Sequence, residues 1–209
     1  METIIDGIRR STRGLRLKRM QLFLRIMKPS NGETILDIGG YPELWRQCGY
    51  QGSVDLLNLS ARENFPALPP HYRYIQGDGR CLDFGDKRYD IVFSNSVIEH
   101  VGGWASQEAF AHEASRVGKR YWIQTPNKNF PIEPHLNLPL VQFLPLSMRK
   151  RVAAVWPFSF VKRWGMDTDA FIGDLRPLTI GEMQTLFPDG RVWKERLFGF
   201  VKSIVAYRC

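Results

Sequence analysis

The sequence predicts an α/β fold built on one doubly wound, mostly parallel seven-stranded sheet. Short apolar β-runs alternate with helical stretches over residues 34–125, the order of a parallel sheet with crossover helices. The first run ends Asp37-Ile38-Gly39-Gly40 with Pro42 close behind, which reads as a buried strand, a tight turn and a helix opening. Two late β-like runs flank Gly199 and predict a closing antiparallel hairpin.

Strands are predicted over residues 34–38, 53–57, 72–76, 91–94 and 120–125, with helices over 43–48 and 107–117. After Thr125 the texture changes. Pro126, Pro131, Pro134, Pro139, Pro145 and Pro157 exclude a central strand, while the Phe, Leu and Trp between them call for packing. Residues 126–170 are therefore expected to form a Pro-rich insertion after the fifth strand. It would cap the ligand edge of the sheet, with 136–146 and 156–164 as its apolar, aromatic parts. A helix from Thr179 to Leu186 leads to the last two runs, 191–197 and 201–207.

At 209 residues, 44% of them hydrophobic, the chain suits one packed domain with additions. The net charge of +8 is uneven. Within residues 1–28, eight Arg and Lys residues face only Glu2 and Asp6. Residues 1–30 are thus read as a basic N-terminal helical segment and 31–209 as the main domain. The basic segment would lie on the domain through Leu22, Phe23 and Ile26; anionic lipid, RNA or an acidic substrate are the alternative contacts. No apolar stretch has the length of a membrane span, and the N-terminus lacks the core of a signal peptide. Cys48, Cys81 and Cys209 share no CxxC spacing and suit a reducing compartment. A cytoplasmic location, peripheral at a membrane at most, is the expectation.

In an open parallel sheet the ligand lies beyond the carboxyl ends of the strands. There the sequence sets Asp37, Gly39 and Gly40; then Asn58; then Gly77-Asp78-Gly79; then Asn95, Ser96, Glu99 and His100; then Thr125 and Asn127. Asp37 would repel a pyrophosphate and accept an ammonium or hydroxyl. Asn58, 19 residues past Gly39, stands where ribose hydroxyls are held. Asp78 can accept from an exocyclic amine. Taken singly, Gly39-Gly40 and Asp78-Gly79 are also ordinary turns, and Asp37 an ordinary helix cap.

Together these motifs resemble the class I S-adenosylmethionine (SAM)-dependent methyltransferases, enzymes with a Rossmann-like sheet. The match lies in residues 35–40, Asn58-Leu59-Ser60, Gly77-Asp78-Gly79 and the run Tyr89-Asp90-Ile91-Val92-Phe93-Ser94-Asn95-Ser96-Val97-Ile98-Glu99-His100-Val101. The resemblance implies SAM as cofactor. Asp37, Gly39 and Gly40 would hold its methionine part, Asn58 the ribose, Asp78 and Gly79 the adenine, and Asn95 and Ser96 the floor near the sulfonium. Tyr41 and Glu43 stand where the family has its second and third glycines, and Asn58 where it has Asp or Glu.

The implied activity is methyl transfer to a small-molecule, glycan or lipid-like acceptor, at oxygen. An oxygen nucleophile must lose a proton, and imidazole is the natural base near neutral pH. His100, at the lip of the fourth strand, is the first candidate for the catalytic group. His135, in the insertion's Phe130-Pro-Ile-Glu-Pro-His135, is the second. Glu99 or Glu133 would orient the ring; a purely capping His100 is the alternative. No metal is expected, because no helix shows paired ligands at His/Asp/Glu spacing. Two other readings remain: a catalytically silent binding or scaffold relative, and an NAD-type oxidoreductase. Nucleic acid is not the expected partner, since the basic stretch lacks interleaved aromatics.

Overall fold

In the computed structural model, β1 (Thr34–Ile38), β2 (Ser53–Asn58), β3 (Tyr72–Gln76), β4 (Tyr89–Asn95) and β5 (Gly118–Pro126) form a parallel sheet. The structure describes residues 2–60, 68–136, 138–156 and 167–209, with side chains from residue 14 onward and that of Thr168 left aside. β6 (Ile132–Glu133) and β7 (Leu138–Pro139) pair separately as a small hairpin. β8 (Arg191–Leu197) and β9 (Phe200–Arg208) return antiparallel, giving the seven-stranded order β3-β2-β1-β4-β5-β9-β8. The order turns between β1 and β4, so a crevice opens at their carboxyl ends.

Strand alternation sends side chains to two cores. On one face Ile35, Val54, Leu56, Ile91, Phe93, Trp122 and Val205 pack under α1 (Glu2–Met27) and α2 (Pro42–Cys48). Phe23 of α1 is wholly buried, edge-on to Phe93, Trp122 and Trp45 at centroid distances of 5.0, 5.7 and 5.8 Å. Met20 and Met27 are buried beside it, with Leu22 and Ile26 partly so, so the second half of the basic segment is laid on the domain. On the other face Leu36, Val92, Tyr121, Ile123 and Ile204 pack against α3 (Trp104–Val117) and residues of the later helix α6 (Ile180–Leu186).

The insertion runs from the end of β5 through the small hairpin, a 3-10 turn at Val141–Phe143, α4 (Leu146–Val155) and α5 (Thr168–Asp174). It has its own small core of Leu136, Val141, Ala153, Ile172 and Leu175. Of its expected apolar lid, Leu140, Phe143 and Leu146 are exposed; residues 157–164 lie outside the described residues. Among the described residues no helix is long and apolar enough to cross a membrane.

Candidate functional site

The first strand end is built as its sequence suggests. Pro42 opens α2, where its missing N–H has no use. Gly39 takes φ +75°, and a Cβ there would come within 2.4 Å of Val97. A Cβ on Gly40 would stand 2.0 Å from Asp37 Oδ2, so the second glycine is required by the acid tucked against it. Asp37 is buried and its Oδ2 accepts from Trp45 Nε1 at 2.7 Å. Burial pushes its carboxyl up to about 8, the indole N–H opposing. Trp45, which sequence reasoning passed over, is one helical turn into α2, so a helix-placed aromatic donor behind the acid was its signal. Tyr41 is 42% exposed.

At the neighbouring strand ends, Asn58 donates from Nδ2 to the Gly40 carbonyl at 3.0 Å, which ties the glycine turn to β2. Asp78 is clasped by Arg80, whose Nη2 lies 2.6 Å from Oδ2 and which holds the carboxyl below its usual range. Gly79 lies against Ile38 and Phe110, both within 3.0 Å of where a Cβ would be. Ser96, at φ +60°, donates from its hydroxyl to Gln124 Oε1 at 3.0 Å. Asn95 closes β4 beside it.

Val97, whose side chain fills the space beside Gly39, leads the chain from β4 into a 3-10 turn, Ile98–His100. That turn is pinned from three sides. Gln107 Nε2 donates to the Ile98 carbonyl at 3.0 Å, the Arg176 N–H donates to the Glu99 carbonyl at 2.8 Å, and Ile98 is buried. The insertion then brings His135 to the same place. His100 Nε2 and His135 Nε2 lie 3.1 Å apart although 35 residues separate them in sequence. Both rings contact Phe171, at centroid distances of 4.9 and 5.4 Å.

The two acids divide the work in a definite way. Glu133 Oε1 is 2.6 Å from His135 Nδ1, and its Oε2 accepts from the Leu136 N–H at 2.6 Å, so Glu133 orients the ring. Glu99, 1% exposed, accepts from the Thr125 hydroxyl at 2.9 Å through Oε2. Its Oε1 has no hydrogen-bond partner among the described residues and stands 3.9 Å from His100 Nε2. Burial pushes Glu99 up to about 7, with His135 and Thr125 opposing. Burial beside His135 pushes His100 down to about 3, whereas His135 is raised on balance: burial disfavours its charge and the Glu133 carboxylate outweighs it. Glu99, His100 and His135 hold their ligand-type atoms within 4.8 Å of one another. The expectation of no metal rested on helical spacing, which cannot register groups gathered from a turn and a hairpin.

Beside this cluster lies a narrow, half-open crevice lined by Glu99, Glu133 and His135 with Phe130, Ile132 and Leu175. The structure therefore gathers the expected site residues into two adjoining groups, the glycine rim and the imidazole–carboxylate cluster, joined through Val97.

Residues 45–121 match the family model described as a methyltransferase domain. Two curated Mycobacterium tuberculosis proteins are 36% identical over 61 residues, 29% of this chain; the chain spans about a fifth (21%) of their length. Among solved structures, a putative methyltransferase from an antibiotic biosynthesis pathway of Anabaena variabilis aligns with TM-score 0.57 and 17% identity, over 86% of this chain and 64% of its own. A SAM-dependent methyltransferase from Aquifex aeolicus aligns with TM-score 0.52 and 14% identity, over 90% and 87%. At these identities the structural likeness speaks for the fold.

Proposed function

We propose that this chain is a class I SAM-dependent methyltransferase, and that its reaction is methyl transfer to the oxygen of a hydroxyl-bearing acceptor with an apolar body; the methyltransferase-domain match over residues 45–121 and the shared fold support the reading. SAM is its cofactor, and the residues present fit it. The rim keeps bare backbone at Gly39 and Gly40 where a Cβ would collide with Val97 or Asp37. The next two strand ends offer Asn58 and Asp78 to ribose and adenine. In this reading the Gly39-Gly40 backbone, buttressed by Asp37, holds the methionine part. Gly79, packed on Ile38 and Phe110, offers its backbone beside the base, and Asn95 and Ser96 floor the sulfonium.

When bound, SAM supplies the methyl group: the acceptor oxygen's electron pair forms the new O–C bond as S–C breaks, sulfur keeps that pair as a neutral thioether, and the acceptor proton leaves. The chain's own residues align the acceptor, exclude water and activate its oxygen. The single observation that carries the oxygen acceptor is the meeting of His100 and His135, 3.1 Å apart, beside a cleft two residues from Val97 and the glycine rim. Imidazoles backed by Glu99 and Glu133 serve a nucleophile that must shed a proton. Phe130, Ile132 and Leu175 supply the apolar wall, which favours an aromatic, isoprenoid or lipid-linked body over a bare sugar.

The test uses methyl-labelled SAM and a panel of hydroxylated aromatics, isoprenols and glycolipids. The expected product carries label in an ether, and His100→Ala or His135→Ala lowers kcat at least about 100-fold with SAM affinity within about two-fold. Label on nitrogen or carbon, or full turnover by both variants, would overturn the oxygen assignment.

A further inference from the structure

We propose that Glu99, His100 and His135 form a binding site for one divalent transition-metal ion of the zinc type, whose open position faces the acceptor cleft. The proposal rests on the methyl-transfer reading for its purpose, though the site stands on geometry of its own.

Four observations carry it. The facing Nε2 atoms of His100 and His135 are 3.1 Å apart. Two ligands bonded at about 2.0–2.1 Å to one tetrahedral ion lie about 3.3–3.4 Å apart, so the pair needs to part by only a few tenths of an ångström to share one. Glu133 fixes the proton of His135 on Nδ1 and so leaves the lone pair on Nε2. A carboxylate behind the ligating imidazole is the usual support of such a site. Glu99, almost fully buried, turns toward the pair an oxygen that no donor among the described residues satisfies. A buried acceptor left in that state is costly, and a cation beside it removes the cost. Finally, Glu99 and His135 line the cleft, so the remaining coordination position opens where the acceptor would sit.

The donor set decides the metal class. Two imidazoles and one carboxylate suit zinc and its neighbours in the first row, while magnesium and calcium favour oxygen donors. Three protein ligands with one open position make a site for chemistry rather than for structure alone. An acceptor hydroxyl entering that position would be acidified as metal-bound water is, losing its proton to solvent. In the loaded protein the histidines would then act as ligands, which is how they would activate the oxygen.

The test strips the 209-residue chain with a chelator and titrates it with Zn2+ by equilibrium dialysis and with Co2+ by visible absorption. One equivalent should bind, giving d–d bands of low coordination number without the near-ultraviolet charge transfer of a cobalt–thiolate bond, since Cys48, Cys81 and Cys209 take no part. His135→Ala should weaken binding at least about 100-fold, and Glu133→Gln by about 10- to 100-fold. Glu99→Gln, which keeps shape and the Thr125 contact, should weaken it at least about ten-fold and guards against a folding defect. Failure to bind one equivalent, a thiolate band, or unchanged affinity in Glu99→Gln would overturn the site. Calorimetry with SAM on the same stripped sample separates the premises. SAM bound with no Zn2+ taken up sinks the metal site alone, whereas Zn2+ bound with no SAM keeps the site and sinks the transfer reading.

Discussion

Asp37 shows how one buried residue can shape the glycine turn from behind. Its carboxyl accepts from the Trp45 indole N–H and forces position 40 to be glycine. Folded, it titrates at about 8; in an unfolded chain it would titrate near about 4. Between those values the folded state holds a proton that the unfolded state releases, so this group's contribution to stability is greatest at low pH and is lost as pH rises through about 8. Asn at this position cannot ionise but can still accept from Trp45. Asp37→Asn should therefore lose less melting temperature than the parent between pH 6 and 9, and parallel melting curves would refute the assignment. Trp45→Phe leaves the buried carboxyl without its donor; a loss of about 1–3 kcal/mol in urea unfolding is expected, with weaker SAM binding by calorimetry. Gly40→Ala should weaken SAM binding more than it lowers stability, because the added methyl displaces Asp37 from under the turn.

At the scale of elements, periodicity made the sheet legible. β1, β3 and β8 fall where alternation of apolar residues predicts them, and β2, β4, β5 and β9 extend by one to three residues beyond the predicted ends. Several of those extra residues are polar or proline, such as Asn58, Asn95 and Pro126, held by ladder bonds that a hydropathy pattern does not show. The helix at Thr179 was readable from its cap: the Thr179 hydroxyl accepts from the Glu182 N–H while Glu182 accepts from the Thr179 N–H. Thr179→Ala should cost about 1 kcal/mol in denaturant unfolding. The basic stretch was harder, since charge dominates its composition, yet Phe23 decides its placement by filling the gap between Trp45, Phe93 and Trp122. Phe23→Ala should cost about 3–5 kcal/mol, the loss expected for a fully buried ring. A cost under about 1 kcal/mol would show that the helix rests on the sheet without contributing to the core.

For the whole molecule, the glycine rim was legible and the imidazole–carboxylate cluster only in part, for a physical reason. Rim residues follow strands, and strand ends can be found from pattern; the cluster depends on a long-range contact between a turn after β4 and a hairpin after β5. The sequence offers His100 and His135 as separate candidates, and nothing in their spacing announces a distance of 3.1 Å. Nor does it say that Glu133 takes His135 while Glu99 is left with an oxygen that has no partner among the described residues. Among the described residues the cap that creates this contact packs on a small core of its own, apart from the two cores of the sheet. A unit packed separately in this way should open without the sheet opening. Hydrogen exchange should therefore show the amides of Leu136, Leu144 and Leu175 protected far less than those of β1 and β4. Leu136→Ala, which removes a buried side chain from that small core, should cost about 2–5 kcal/mol locally. It should speed exchange throughout the cap while SAM affinity and exchange at Thr34–Ile38 stay within about two-fold. If exchange in β1 accelerates equally, cap and sheet are one cooperative unit, and the crevice beside His135 cannot open independently of the glycine rim.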